Sequence, residues 1–440
     1  MPPLAESQIN VPIHINLKPF FALAEKSVDT VFTSPNYPKD WVEADCSTRY
    51  KYYFKRSPLR IAGSGNSFTL GFTGFYKIIG STRVCAGSTV LSPWTPECRC
   101  GFDENPRRVN VGFGTSFNLQ PNYLLNLKVV RNEPQPLDKC SVCFWGQDIT
   151  GAVMSGLSKE LDAAKKGMED SFGKVNLRPY LQQAWNKLSS VYAIPNVGYL
   201  SLSPKKLSMQ NVNTKNDLLN IDLSITATPS VSFIKKEERE TVVPDMGGTS
   251  NNGGFSINLE AALQYDSITK IINGYLVNKR FDVSEGIIKK HVIIQQTQVS
   301  GGPDNTMVIA VAFTGSHNGT VYFTGKPTYD AVTKKIEMRD FDYDLKTKDL
   351  LLKAARWLFD KQIVSEIKKY TSIDMGAYYQ KAATGLNDWL NKEWTKGIKG
   401  SGSIKEIKLT DVYALENYLL IRSNCTGNLA VNVNEIDLNF

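Results

Sequence analysis

The sequence predicts an α+β chain built as a tandem pseudo-repeat, each half wrapping a sheet around a long amphipathic helix. Three observations lead there. A chain of 440 residues exceeds what one core organises and implies two or three domains, of which two is the working count. The same order of strand-like and helix-like patterns occurs twice along it. Between the two occurrences lies a stretch with the Gly, Asn and Ser content of a linker.

In the first half, Ile9, Val11, Ile13 and Ile15 alternate as one face of a strand, and Pro19 to Val31 reads as a short amphipathic helix. Short strands follow, with Gly63-Ser64-Gly65-Asn66 as a hairpin turn. Asp148 or Thr150 then caps a long helix whose apolar stripe is Val153, Leu157, Leu161, Met168 and Phe172. The helix breaks and resumes with Leu177, Leu181, Trp185 and Leu188, and a strand over Leu218 to Ile225 closes the half.

Residues 244–253 form the expected linker, dividing a first half at 1–243 from a second at 254–440. The second half restarts with Phe255, Ile257 and Leu259 in alternation and a helix from Ser267 to about Val277. Asn318-Gly319 marks another turn. Asp349 caps a stripe of Leu351, Ala355, Leu358, Ile363 and Ile367, resumed by Met375, Tyr379, Leu386 and Leu390. Tyr418 to Val433, with Leu429, Val431 and Val433 alternating, ends the chain as strand. The competing reading is two unrelated α+β domains that each contain amphipathic helices.

Composition sets the function classes. Hydrophobic residues at 42% and charged residues at 21% describe a folded globular chain rather than a disordered one. The net charge of +8 suits anionic partners, yet Lys and Arg are scattered among Asp and Glu, as in Lys235-Lys236-Glu237-Glu238, which favours a solvated mixed-charge surface over a nucleic-acid footprint. Six of the seven cysteines, Cys46, Cys85, Cys98, Cys100, Cys140 and Cys143, fall in the first third, leaving Cys425 free or buried alone. Disulfides in an oxidising compartment are favoured over a four-thiolate zinc site, whose Cys98-x-Cys100 and Cys140-x-x-Cys143 spacing is imperfect; the spacing does not give the pairing. The start of the chain has neither a basic nor an apolar export region, so a bridged chain is expected to be a mature segment whose leader has been removed.

Ser92-Pro93-Trp94-Thr95-Pro96 with Cys98-Arg99-Cys100-Gly101-Phe102, and the run from Asp138 to Thr150 through Cys140, Cys143 and Gln147, resemble the signature of an uncharacterised bacterial family of unknown function. Its second-half pattern is matched by Gly319 to Asp330 and Asp340-Phe341-Asp342-Tyr343-Asp344-Leu345, so the resemblance spans nearly the whole chain. That family resembles the tubular lipid-binding (TULIP) superfamily, which includes bactericidal permeability-increasing protein and lipopolysaccharide-binding protein. The resemblance implies a TULIP-like fold, with a long helix in the groove of a highly curved antiparallel sheet twice per chain and lipid tails held between helix and sheet. It carries no established activity.

Three histidines, His14, His291 and His317, stand in separate contexts without metal-triad spacing, and no nucleophile elbow, Walker loop or dinucleotide glycine motif occurs. Asp340, Asp342 and Asp344 fall on one strand face by their period of two. A solvated face is favoured there over calcium, because an EF-hand loop counted from Asp340 would need Gly at Leu345 and Glu at Leu351. Trp94, Trp145, Trp185, Trp357, Trp389 and Trp394 suit stacking, although burial is their commoner use.

The expectation is therefore a non-catalytic protein without cofactor or metal, located in the periplasm, outer envelope or secreted. Its partners are lipid or another amphiphile and a membrane surface, and not nucleic acid. The helix stripes are the candidate ligand-lining residues, against the plainer use of packing a filled core. A structural or adhesive envelope protein with a solid core is the alternative. An enzyme acting on an envelope glycolipid through the aspartate strand is a third.

Overall fold

The computed structural model of the chain describes residues 2–142, 146–194, 198–238, 241–247, 253–285, 288–316, 318–344 and 361–435. The first strand, β1 (Ser7–Asn16), leads into helix α1 (Lys18–Ser27), with Pro19 in the first turn, where its missing N–H costs nothing. β2 (Thr48–Arg56) and β3 (Arg60–Gly65) are one strand interrupted by Ser57-Pro58-Leu59, and both pair antiparallel with β4 (Ser67–Thr82). Pro58 cannot donate to the ladder, so the strand bends there. β5 (Arg107–Leu119) and β6 (Leu124–Arg131) complete an antiparallel meander.

Alternation in β5 buries Val109, Val111, Phe113 and Phe117 and exposes Arg108 and Asn110. The buried face receives helix α2 (Thr150–Phe172). Gly74 in β4 permits the core to close, because a Cβ there would stand 2.2 Å from the Phe54 ring. Arg131 in β6 ties the helix down through Asp162 at 2.7 Å. After α2, a short strand at Lys174–Asn176 returns to β6, and α3 (Arg178–Ser189) follows. β7 (Pro204–Asn216) and β8 (Leu218–Ala227) pair, and β8 runs antiparallel to β1 from Ser7↔Ala227 to Asn16↔Leu218.

β9 (Phe255–Gln264) leads into α4 (Tyr265–Leu276). A second antiparallel meander comprises β10 (Arg280–Glu285), β11 (Ile288–Gly301), β12 (Met307–Gly315), β13 (Gly319–Asp330) and β14 (Lys335–Asp344). Helix α5 (Lys361–Tyr370) is followed by a short strand at Ile373–Asp374 that returns to β14, then by α6 (Gly376–Leu390). β15 (Ile398–Ala414) and β16 (Tyr418–Val433) pair, and β16 runs antiparallel to β9.

β1 joins these strands into one sheet. Its start pairs with β9, and its end lies parallel to β16 through Ile13↔Val431 and Ile15↔Val433. Among the described residues this gives a 20-stranded sheet spanning the molecule, beside a 6-stranded sheet. The start of the predicted linker is not free chain. Pro244 accepts a 2.6 Å hydrogen bond from the Tyr123 hydroxyl, the Met246 N–H donates to Pro121 at 2.9 Å, and Val243 is fully buried. Residues 248–252 lie outside the described residues.

The disulfides Cys46–Cys85 and Cys100–Cys140 are formed, and Cys98 is also disulfide-bonded. Two of the four thiolates required by a zinc site are thus joined to each other. Cys143 lies outside the described residues, and Cys425 is free.

Candidate functional site

The helix stripe of α2 meets the meander along most of its length. Leu161 is buried, and Val153, Leu157 and Met168 are half-buried against Phe54, Phe72, Val109 and Val129. Phe172 departs from the expectation: it is 60% exposed, because it occupies the final helical position just before the chain turns away at Gly173. Asp148 accepts from the Thr150 N–H at 2.9 Å, and the Thr150 hydroxyl accepts from the Cys140 N–H at 2.8 Å. These bonds brace the helix entry, although neither residue is the N-cap, which is Ile149 without a side-chain cap. In the second stripe, Ile367 is buried against α4 and β11 residues. Leu351, Ala355 and Leu358 lie outside the described residues, as does the side chain of Ile363.

The more extensive apolar surface is on the central sheet. Residues directly opposite in neighbouring strands share a face, so the registers Ile13↔Ile221, Ile13↔Val431 and Ile257↔Cys425 place the apolar residues of β8, β1, β16 and β9 on one side. At one end this face packs under α3, where Leu223 and Ile225 meet Trp185 and Leu207. At the other end Leu263 and Ile421 pack with α4. Between them Ile13, Ile15, Leu219, Ile221, Leu259 and Val431 are half-buried and belong to none of the three packed cores of the described residues. The alternation of each strand was visible in the sequence. The pairing of strands some four hundred residues apart was not, so the shared face was missed.

The opposite face of the same strands is a polar ladder. His14 and Asn220 meet at 2.7 Å, Ser224 donates to Asn10 at 2.6 Å, and Asn424 donates to Asn258 at 2.8 Å. Arg422, its side chain 5% exposed, donates to Glu260 at 2.7 and 2.8 Å and to the Pro2 carbonyl at 2.7 Å. Such partners satisfy groups that a half-buried sheet would otherwise desolvate at a cost, and they also hold the register of the apolar side. Among the described residues the buried hydroxyls of Tyr76 in β4 and Tyr379 in α6 have no hydrogen-bond partner, and burial pushes Tyr76 up to about 12.

The aspartate strand is corrected in detail. Asp340 adopts a left-handed conformation at φ 51° where β14 shifts register against β13, and this bulge breaks the alternation that was to align Asp340, Asp342 and Asp344. Asp340 and Asp342 are solvent-exposed, and among the described residues no group of three or more His, Cys, Asp or Glu is placed to hold a metal ion. Trp185 is buried, whereas Trp389 is 48% exposed and stacks on Trp394 at 5.0 Å. Trp145 and Trp357 lie outside the described residues. A surface cleft of about 430 Å³ lies beside β2 between Tyr53, Pro58, Phe75 and Pro106, apart from both helix stripes. No helix of the described residues is long and apolar enough to cross a membrane.

No curated protein matches the chain. Among solved structures it is similar to P47 of Clostridium botulinum E1, with 9% identity, TM-score 0.24, and coverage of 95% of this chain and 98% of that one. It is similar to a lipopolysaccharide binding protein, with 11% identity, TM-score 0.26, and coverage of 99% and 100%. P47 from Clostridium botulinum A2 shows 11% identity, TM-score 0.24, and coverage of 96% and 97%. Superpositions at these TM-scores establish neither a shared fold nor a shared ligand. The family assignment rests instead on sequence: the profile of the Domain of unknown function (DUF4403) matches residues 5–433, nearly the whole chain, which therefore belongs to that family.

Proposed function

We propose that the chain is a non-catalytic carrier for lipid or another amphiphile of the bacterial cell envelope, built as two TULIP-like halves that divide at residues 244–253. The observation that carries this reading is the half-buried apolar face of the central sheet between the α3 and α4 cores. An acyl chain laid along such a face gains ~0.8 kcal/mol per buried methylene, and shape rather than charge would set selectivity. The tandem is supported by recurring order and pairing. Each of β1 and β9 leads into a helix and pairs with a long strand late in its own half, and the short strand after each long-helix region returns to the last strand of its meander. The disulfides support an oxidising, extracytoplasmic location.

Native mass spectrometry and organic extraction of protein purified from a lipid-replete host test the proposal. A bound amphiphile in about molar amount is expected. A chain that neither retains nor takes up any amphiphile would sink the carrier reading in favour of a structural protein with a solid core.

A further inference from the structure

We propose that the disulfide-stapled hairpin at residues 84–92 docks the protein onto an anionic lipid bilayer. The hairpin pairs Cys85 with Val90 and Ala86 with Thr89 around a turn in which Gly87 has φ 62°. Its aliphatic side chains face water: Val84 is 60%, Val90 48% and Leu91 62% exposed. A small tip gains nothing in the folded chain by displaying three aliphatic residues together, and such patches mark contact sites. The tip is also held rigid. Cys85 is bridged to Cys46, the Leu91 N–H donates to the Val84 carbonyl at 2.9 Å, and the Val84 N–H donates to the Ser92 hydroxyl at 2.8 Å.

Behind the tip stands a ladder of cations and indoles. The Arg83 guanidinium lies 4.2 Å from the Trp94 ring, Arg49 lies 4.5 Å from Trp94 and 4.3 Å from Trp41, and the Lys51 ammonium lies 4.4 Å from Trp41. Arg83 also donates to the Cys46 carbonyl at 2.6 Å, which joins ladder to hairpin. Among the described residues none of these three cations forms an ion pair, and the buried Arg49 Nε has no hydrogen-bond partner. Of the carboxylates in the same loops, Asp40 accepts from Asn36, Asp45 accepts from Ser47 and Glu97 pairs with Arg99, while Glu43 stands opposite Arg49 in the strand register.

An aliphatic tip backed by Trp and by Arg and Lys that form no ion pair among the described residues, Lys51 donating only to the Pro38 and Lys39 carbonyls, has the order of chemistries met on entering a bilayer. The tip reaches the acyl boundary, indoles sit at headgroup level, and cations meet lipid phosphates. The net charge of +8 fixes the preferred sign of that surface.

Co-sedimentation with vesicles of phosphatidylglycerol and phosphatidylcholine in equal parts, against phosphatidylcholine alone, tests this. The wild type is expected to partition onto the anionic vesicles and to be weakened by salt. A Val84→Asp/Leu91→Asp variant is expected to lose at least about tenfold in partition coefficient at unchanged melting temperature. Val332→Asp, at a turn of the second meander and 92% exposed, serves as the control expected to bind like wild type. The proposal is overturned if wild type does not bind, or if the double variant binds equally well. It is also overturned if light scattering shows that the tip holds two copies of the chain together instead. Amphiphile retention by the double variant is expected to be unchanged, so this test and that of the carrier reading fail separately.

Discussion

Arg56 is a charged residue whose side chain has no exposed surface, and its partners account for that. It donates to both Glu25 carboxylate oxygens and to the carbonyls of Glu25, Val28, Asp29 and Ser57, so it closes the end of α1 while pairing its charge. The Leu59 N–H, and after it Arg56, hold the Glu25 carboxyl below its usual range. Replacing Arg56 by Ala strands these groups and is expected to cost about 3–5 kcal/mol in denaturant unfolding, with Arg56→Lys recovering only part because an ammonium cannot reproduce the fork. Nothing in the sequence marks Arg56 for this, since its partners lie some thirty residues away and its neighbours read as an ordinary strand. Asp138 adds a pH dependence. Bidentate donation by Arg108 lowers its carboxyl to about 2, so the stability it contributes is present above the unfolded carboxylate range near pH 4 and is lost as pH falls towards 2. Thermal melts should show wild type losing its margin over Asp138→Asn, at most about 1 kcal/mol, between pH 5 and pH 2.5.

α2 and α4 show how one pattern produces two degrees of closure. In α4, Ile268, Ile272 and Leu276 are almost wholly buried, and the helix also repairs its sheet. Where β11 shifts register between Ile294 and Gln296, the Asn273 side chain accepts from the Thr297 N–H at 2.7 Å and from its hydroxyl at 2.8 Å, and donates to its carbonyl at 3.2 Å. Asn273→Ala would leave that bulge unsatisfied and is expected to cost about 1–3 kcal/mol, measured by chemical denaturation. In α2 only Leu161 is fully buried, and the rest of the stripe stays half-open. The stripes themselves were legible, because helical periodicity is local and survives without knowledge of the partner. The bulges at Asp340 and Gln295, the outward turn of Phe172 and the docking of Pro244 and Met246 were not. The outward turn of Phe172 follows from where the helix ends at Gly173, while the bulges and the docked linker start are decided by neighbours distant in sequence.

Across the whole molecule the question is whether the central face is bare or covered in use, and the free thiol answers it. Cys425 is half-buried on that face opposite Ile257, with desolvation holding its thiol above the usual range, so little thiolate is present near neutral pH. It is the one cysteine of the described residues outside the disulfides, so maleimide labelling mapped to Cys425 by peptide mass spectrometry under non-reducing conditions reports on the face. An amphiphile lying across Ile257 and Cys425 would exclude the reagent, whereas a face already closed by protein would react equally slowly with or without lipid. Protein stripped of lipid is therefore expected to alkylate severalfold faster than loaded protein, in both cases faster as pH rises. Ile221→Asn, placed on the same face one β1 strand away, should abolish most of the protection, while Phe172→Ser, on exposed surface, should leave it intact. Identical rates in stripped and loaded wild type would show that the amphiphile, if held, lies elsewhere than on the central sheet.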